Sequence, residues 1–299
     1  MAIHVVVGAG PVGTAIAADL LERGETVRVI TRSGSGLAGT ERIAADASDT
    51  ARMVELTAGA AVIYNAVNPP YDKWVEMWPP IAAALLEAAA ASGAVLAIVD
   101  NLYAFGPVDG PMSARLADSP SSVKGAVRQQ MWDEARAAAA AGRITATVAV
   151  RGSDYVGDGP SLISMMVLPR ARKGKSAMIP ADLDAAHTWT NPADAGRLLV
   201  KAALDPRGWN RYWLVPSAPA LSIRELSTRA TELAGLPAPK IRKMPRWMLR
   251  TAGLFNAMAR ELVEMNYQFQ RTFVLDTTDT AAVFGGDFTP LDQSLRQNL

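Results

Sequence analysis

Residues 3–17 read IHVVVGAGPVGTAIA, which is an apolar strand, a glycine-rich turn and the start of a small-residue helix. The turn has the spacing G-x-G-x-x-G. We expect Gly8 to permit a tight turn, Gly10 to let the backbone approach a pyrophosphate, and Gly13 to allow close packing of the helix on the strand. The helix that begins at Pro11 then presents unpaired N–H groups and a positive dipole end to phosphates. The stretch therefore predicts a dinucleotide-binding unit at the start of the chain.

The end of the next strand indicates which dinucleotide is bound. Residues 26–31 alternate as a strand, and folds of this kind that bind NAD place an acidic residue at its end, on the ribose 2′-hydroxyl. This chain instead has Arg32 and Ser33 there. A guanidinium and a hydroxyl suit a 2′-phosphate, because arginine pairs with phosphate through two hydrogen bonds. We therefore predict NADP(H) as the cofactor.

Composition limits the class of protein. The chain has 299 residues, 49% of them hydrophobic and 20% charged, with a net charge of +1. We expect a globular protein that binds a small-molecule substrate, with neither nucleic acid nor a membrane as a partner. The chain has no cysteine and only two histidines, so we expect no disulfide and no histidine-rich metal site. The first strand begins at Ile3, and we expect a cytoplasmic protein without a signal peptide. Its oligomeric state stays open.

Strand-like and helical patterns alternate through the first half of the chain. Strands are expected at 3–7, 26–31, 41–45, 60–65, 94–99 and 144–150, and helices at 11–23, 49–58, 79–92 and 122–141. This alternation predicts an α/β fold, a doubly wound parallel Rossmann sheet with helices on both faces. Pro79 and Pro80 suit the first turn of a helix, so residues 71–78 are expected to form a loop or a short separate turn.

After residue 150 the alternation ends. We expect residues 1–155 to form the NADP-binding Rossmann core, and residues 156–299 to form the remainder of the core and a small, mostly helical substrate-binding lobe. Helices are expected at 162–171 and 192–204, a strand at 212–215, and mostly helix from residue 222. Leu254, Met258, Leu262 and Met265 recur at spacings of three and four, which predicts one apolar face of a single helix.

Polar motifs follow most of the predicted strands. They are G-x-G-x-x-G at 8–13, DASD at 46–49, NAV at 65–67, DNLYAFG at 100–106 and RGSDYVG at 151–157. Together these motifs resemble the short-chain dehydrogenase/reductase superfamily in its extended form, the NAD-dependent epimerase/dehydratase type. The resemblance covers about residues 3–205.

The resemblance implies a role for each of these motifs. It places Asp46 against the adenine and Asn65 and Ala66 along the ribose and pyrophosphate. Residues 151–153 are placed beside the nicotinamide. The predicted cofactor contacts are Gly8, Gly10, Pro11, Val12, Gly13, Arg32, Ser33, Asp46, Ala47, Asn65, Ala66, Val67, Lys124, Arg151, Gly152 and Ser153.

The catalytic residues of that family do not carry over. Its members have Ser or Thr after the fifth strand and Tyr-x-x-x-Lys on the next helix, where the lysine lowers the tyrosine pKa so that the phenol exchanges a proton with the substrate oxygen. Here the serine position is Asn101, the pair is Lys124 and Arg128, and Tyr-x-x-x-Lys occurs nowhere in the chain. Our catalytic candidates are Lys124 and Tyr103 as proton donors, with Lys124, Arg128 and Asn101 as stabilisers of an alkoxide.

Three functions remain open. The first is an NADPH-dependent ketoreductase acting on a bulky substrate, with the proton supplied by the protein or by a substrate hydroxyl beside the ketone. It would be similar to atypical ketoreductases that tailor aromatic polyketides in antibiotic biosynthesis. The second is a redox-sensing regulator that binds NADP(H) without turnover. The third is a nucleotide-sugar epimerase or dehydratase, which the missing tyrosine disfavours.

Three further groups of side chains have two interpretations each. Trp74, Met77 and Trp78 either line an aromatic substrate pocket or pack between helices. His187 either relays a proton or has a structural role. An apolar set near the C-terminus forms either a roof over the pocket or ordinary core. It consists of Leu254, Phe255, Met258, Met265 and Tyr267.

Overall fold

The centre of the molecule is a parallel β-sheet of seven strands. The computed structural model describes residues 3–255 and 257–299. The strands are β1 (Ile3–Val7), β2 (Thr26–Thr31), β3 (Glu41–Ala44), β4 (Ala60–Asn65), β5 (Val95–Asp100), β6 (Ala146–Arg151), β7 (Asp154–Tyr155), β8 (Ala177–Ile179), β9 (Trp189–Thr190), β10 (Arg211–Leu214) and β11 (Ile241–Lys243). The main sheet has the order β10-β6-β5-β4-β1-β2-β3, and β7–β9 and β8–β11 form two small parallel pairs.

Helices cover both faces of this sheet. They are α1 (Pro11–Glu22), α2 (Thr50–Leu56), α3 (Trp74–Ser92), α4 (Val123–Ala140), α5 (Leu168–Ala171), α6 (Pro192–Leu204), α7 (Ile223–Leu233), α8 (Arg246–Phe255), α9 (Ala257–Met265), α10 (Thr278–Phe284) and α11 (Leu291–Arg296). One apolar core lies between the sheet and α2, α3 and α4, and a second lies between the sheet and α1 and α6. The predicted doubly wound parallel sheet is confirmed. Over the described residues, none of the helices combines the length and the apolar character needed to cross a membrane.

The topology of the sheet determines where a ligand binds. The chain runs outward from β1 to β2 and β3 on one side, and from β4 to β5 and β6 on the other. In open parallel sheets a crevice forms beyond the carboxyl ends of the strands where the order reverses. Here that point is between β1 and β4, which places the glycine turn after β1 at the mouth of the crevice.

Helix α3 differs from the prediction. It begins at Trp74, five residues before Pro79, so both prolines lie inside the helix and the expected loop is reduced to a single 3₁₀ turn at Tyr71–Lys73. Each proline removes one backbone hydrogen bond. The helix nevertheless extends back to Trp74, because Trp74 and Trp78 are four residues apart and both are buried against the sheet.

The second half of the chain contributes to both the core and a lobe. Strand β10 and helix α6 complete the main sheet and its second face. Asn191 caps α6 by accepting a hydrogen bond from the Ala193 N–H at 2.8 Å, with Pro192 in the first turn. The lobe has its own apolar core, which includes Ile163, Ile179 and Leu226.

The predicted apolar face near the C-terminus is wrong. Leu254 belongs to α8, and Leu262 and Met265 belong to α9, so the set does not lie on one helix. Leu254 is 71% exposed, whereas Met265 is buried. The side chains of Phe255 and Met258 lie outside the described residues.

Candidate active site

The glycine turn provides the space that a pyrophosphate needs. Gly8 has φ +107°, and a Cβ there would overlap the Ala66 carbonyl; a Cβ on Gly13 would overlap the Gly8 carbonyl. A Cβ on Gly10, by contrast, would meet nothing within 4 Å and would project into the crevice. Helix α1 has no side-chain cap and no acidic residue in its first turn, so its terminal N–H groups remain available to an anion.

A cavity of about 600 Å³ lies beyond the ends of β1, β2 and β3 and has the position expected for an adenosine site. Asp46 lines it and accepts hydrogen bonds from the Ser48 N–H at 2.9 Å and the Ser48 hydroxyl at 2.8 Å. These hydrogen bonds hold the pKa of Asp46 below its usual value. Ala47, Arg32 and Ser33 line the same cavity. The guanidinium of Arg32 is exposed and makes no ion pair with a residue that the structure describes.

These two features fit a nicotinamide dinucleotide. The uncapped helix and the open space at Gly10 suit a pyrophosphate, and the Arg32–Ser33 pair suits a phosphate on the adenosine ribose. Ala66 and Val67 lie on the wall between the adenosine cavity and a second cavity. Asn65 does not reach that wall. It is buried, and its Oδ1 accepts a hydrogen bond from the Val67 N–H at 3.3 Å.

The second cavity, of about 410 Å³, extends from the glycine turn over the ends of β4, β5 and β6. Pro11, Val12, Gly152 and Ser153 are among its lining residues. Much of the rest of the wall is aromatic. Its aromatic residues are Tyr71, Trp74, Trp78, Tyr103, Tyr155 and Phe273.

Tyr103 and Asn101 lie together on this wall. The Asn101 Oδ1 accepts a hydrogen bond from the Tyr103 N–H at 3.0 Å, which leaves the amide NH₂ of Asn101 for the cavity. The Tyr71 hydroxyl donates to the Tyr103 hydroxyl at 3.3 Å. Burial, together with the charge of Asp154, raises the pKa of Tyr103 to about 12. Tyr103 therefore carries its proton at neutral pH; it is a weaker acid than an unperturbed phenol but a stronger one than an alcohol.

Arg128 reaches the cavity from α4. Its Nε donates to Asp100 Oδ1 at 2.7 Å and its Nη2 donates to the Val99 carbonyl at 2.6 Å. The guanidinium also lies 4.7 Å from the Trp78 ring centroid. Nη1 makes no hydrogen bond with any residue that the structure describes, and Arg128 lines the cavity. Arg128 thus offers a fixed N–H donor to a substrate oxygen.

Arg151 has a different position from the one predicted. Its side chain is 0% exposed, donating from Nε to Asp100 at 2.9 Å and from Nη1 and Nη2 to Asp118 at 2.6 and 2.9 Å. It does not line the cavity. Burial acts to raise the pKa of Asp100, but the guanidiniums of Arg128 and Arg151 hold it below its usual value. Arg151 therefore stabilises the end of β6 through a buried ion-pair network, in place of the predicted cofactor contact.

Lys124 does not line the cavity either. Its ammonium is ion-paired with Glu261 and lies 3.7 Å from Glu264, both on α9, and it sits 4.6 Å above the Tyr71 ring. Burial lowers the pKa of Lys124, and Glu264 opposes that shift. Lys124, which was predicted to donate a proton and to contact the cofactor, is instead paired with two carboxylates of α9 and links α4 to the lobe.

The sequence interpretation expected the lobe to cover the cavity but did not name the lobe residues that line it, and it missed Asp154 and its contact with His187. Gln268 and Phe273 line the cavity, whereas Leu254, Met265 and Tyr267 do not. Asp154 lines it as well, and its Oδ2 accepts a hydrogen bond from His187 Nε2 at 2.8 Å. Position 154 falls inside the RGSDYVG motif, which was the available signal. Trp74 and Trp78 line the cavity, while Met77 lines the neighbouring adenosine cavity.

Comparison with known proteins gives a fold but no family. No protein-family model matches the chain, and no curated protein matches it. Among solved structures, UDP-glucose 4-epimerase from Thermotoga maritima with UDP-glucose is 16% identical, with a TM-score of 0.79 over 100% of this chain and 97% of that chain. MoeE5 in complex with UDP-glucuronic acid and NAD is 19% identical, with a TM-score of 0.78 over 99% and 97%.

A third similar structure is the dTDP-glucose 4,6-dehydratase DesIV from Streptomyces venezuelae, with NAD bound. It is 16% identical, with a TM-score of 0.75 over 99% of this chain and 96% of that chain. At these identities the likeness shows a shared Rossmann-like α/β fold, lobe included. The expected likeness to the epimerase/dehydratase type is therefore confirmed for the fold, and the likeness to polyketide ketoreductases stays a prediction.

Proposed function

We propose that this chain is an NADP(H)-dependent oxidoreductase that reduces a ketone of a non-anionic, largely apolar substrate. The observation that carries this proposal is the cavity of about 410 Å³, which joins the glycine turn to an aromatic wall. Among the described lining residues its one cation is Arg128, whose charge is already paired with Asp100. A nicotinamide dinucleotide bound along the turn supplies hydride.

The residues of the wall have separate roles in this proposal. Arg128 Nη1 and the Asn101 amide donate hydrogen bonds to the oxygen that gains negative charge during reduction. Tyr103, protonated at neutral pH, then donates its proton to that oxygen. Trp74, Trp78 and neighbouring aromatic side chains exclude water and hold the substrate by apolar contact. Lys124 keeps the lobe in place over the cavity.

A second candidate is a nucleotide-sugar epimerase or dehydratase. The observation that favours it is the likeness over the whole chain, lobe included, to structures named for UDP- and dTDP-sugar enzymes. Two observations argue against it. The Tyr-x-x-x-Lys pair is missing from the chain. The described lining residues also include no cation that is free to bind a diphosphate.

The deciding experiment incubates the full chain with quinones, polycyclic ketones and nucleotide sugars. It measures NADPH oxidation by absorbance and, with NAD⁺ or NADP⁺ present, sugar conversion by chromatography. Ketone-dependent oxidation supports the first candidate. Conversion of UDP- or dTDP-glucose without net change in the cofactor overturns it in favour of the second. Tight NADPH binding with no turnover of any compound overturns both and supports a redox-sensing regulator.

A further inference from the structure

Asp154 presents an acidic oxygen to the cavity. Its side chain is 32% exposed, and it lines the cavity together with Asp158. One carboxylate oxygen is held by His187, which is itself 3% exposed and stacked on the Phe269 and Phe273 rings at 5.3 and 5.1 Å. The other oxygen makes no hydrogen bond with a described residue. His187 thus fixes the carboxylate from behind and leaves one face of it open.

The charges around the cavity do not compensate this carboxylate. Arg128 and Arg151 together carry two positive charges, and Asp100 and Asp118 carry two negative charges, so the buried network is neutral. Lys124 is committed to Glu261 and Glu264. The described lining residues therefore offer Asp154 no cation that is not already paired with another carboxylate.

The surroundings of Asp154 are otherwise aromatic. Tyr71, Tyr103 and Tyr155 line the same cavity as Asp154, and its negative charge contributes to raising the pKa of all three phenols. Aromatic faces attract cations and reject anions, because the centre of each ring is electron-rich. A carboxylate among aromatic rings is therefore suited to a group that donates hydrogen bonds.

We propose that Asp154, fixed by His187, selects the substrate by accepting a hydrogen bond from a hydroxyl or protonated amine and by disfavouring an anionic group at the same place. This inference rests on the proposed function, since it names the substrate class of the same cavity. It predicts that the ligand presents an O–H or N–H group to this wall and carries no phosphate or carboxylate there.

The test uses three fragments of nearly equal shape: benzylamine, benzyl alcohol and benzoate. Their binding to the full chain is measured by titration, with and without NADP⁺. We expect benzylamine to bind at least about tenfold more tightly than benzoate, since one charge-assisted hydrogen bond is worth that much or more. Benzyl alcohol distinguishes the two donor classes: affinity close to that of benzylamine indicates that the donor matters, and affinity close to that of benzoate indicates that the positive charge matters.

Asp154→Asn should reduce the preference to within about threefold while NADP⁺ affinity stays unchanged. Asp109→Asn is the matched control, because Asp109 is almost fully exposed and pairs with Arg271 on the surface. Equal binding of benzylamine and benzoate, or a preference that survives Asp154→Asn, overturns the inference. If Asp154→Asn does not fold, the wild-type preference must still weaken as salt is added.

Failure of the proposed function gives a different result. A protein that does not bind NADP⁺, or reduces no ketone, contradicts the proposed function. The order of the three fragments, measured without cofactor, tests Asp154 in either case.

Discussion

Two alanine substitutions in the glycine turn should affect different properties of the protein. Gly10→Ala should weaken cofactor binding, and Gly13→Ala should lower the stability of the fold. Each adds one methyl group, three residues apart. The backbone at Gly10 is extended, with φ −72° and ψ −177°, and its Cβ would project into open space. At Gly13 the Cβ would overlap the Gly8 carbonyl and come within 3.2 Å of the Ala66 Cβ. The first substitution therefore acts on the cofactor and the second on the fold.

The expected change in the free energy of unfolding follows from the local geometry at each glycine. For Gly10→Ala, the small loss of helix capping and the gain from a stiffer unfolded chain nearly cancel, so the free energy of unfolding changes by about 0.5 kcal/mol or less. For Gly13→Ala, overpacking against the backbone lowers the free energy of unfolding by about 3 kcal/mol, and the higher helix propensity of alanine offsets about 1 kcal/mol of that loss. The net loss of about 2 kcal/mol corresponds to a melting temperature lower by roughly 3 °C in a chain of 299 residues.

Calorimetric titration with NADPH and thermal unfolding distinguish the two variants. Gly10→Ala should melt like the wild type and bind NADPH at least about tenfold more weakly, a loss of about 1.4 kcal/mol. Gly10→Val should extend that loss. Wild-type NADPH affinity in a folded Gly10→Ala protein would refute the assignment of the pyrophosphate to this space. An unchanged melting temperature for Gly13→Ala would refute the packing argument.

The other predictions concern the cofactor, the reaction and the buried charges. Arg32→Ala should weaken NADPH binding at least about tenfold and leave NADH binding unchanged, and equal losses for both in calorimetry would contradict the NADP(H) proposal. Arg128→Met and Tyr103→Phe should each lower kcat for ketone reduction at least about a hundredfold. Lys124→Met should keep kcat within about tenfold, and a hundredfold loss there would restore Lys124 as the proton donor. Asp100→Asn should lower the free energy of unfolding by about 3–5 kcal/mol, because it leaves the buried Arg128 guanidinium without a carboxylate and Arg151 with Asp118 alone. Since the pKa of Asp100 is depressed in the folded state, its contribution is complete above about pH 4 and is lost as the pH falls further. Denaturation across pH 2–7 should therefore show a flatter acid limb for Asp100→Asn than for the wild type.

Local sequence was sufficient for the core of the fold. The six strands predicted from the first half of the chain lie within two residues of their observed bounds. Except in the exposed edge strand β3, their apolar residues are buried in the cores on the two faces of the sheet, so these strands can be predicted without knowledge of their neighbours. The roles expected for the three glycines rest on steric contacts within a few residues, apart from those with Ala66, and the observed geometry agrees with them.

Tertiary structure decided which side chains face the cavity. Lys124 is ion-paired with Glu261, 137 positions away in the sequence, and Arg151 is ion-paired with Asp118, 33 positions away. Asp154 and His187, also 33 positions apart, meet where β7 pairs with β9. The sequence by itself determined the parallel sheet and the glycine turn, because short-range sterics and strand periodicity specify them. The partners of the charged groups depend on how the lobe packs on the core, and only the folded chain brings those carboxylates and cations together.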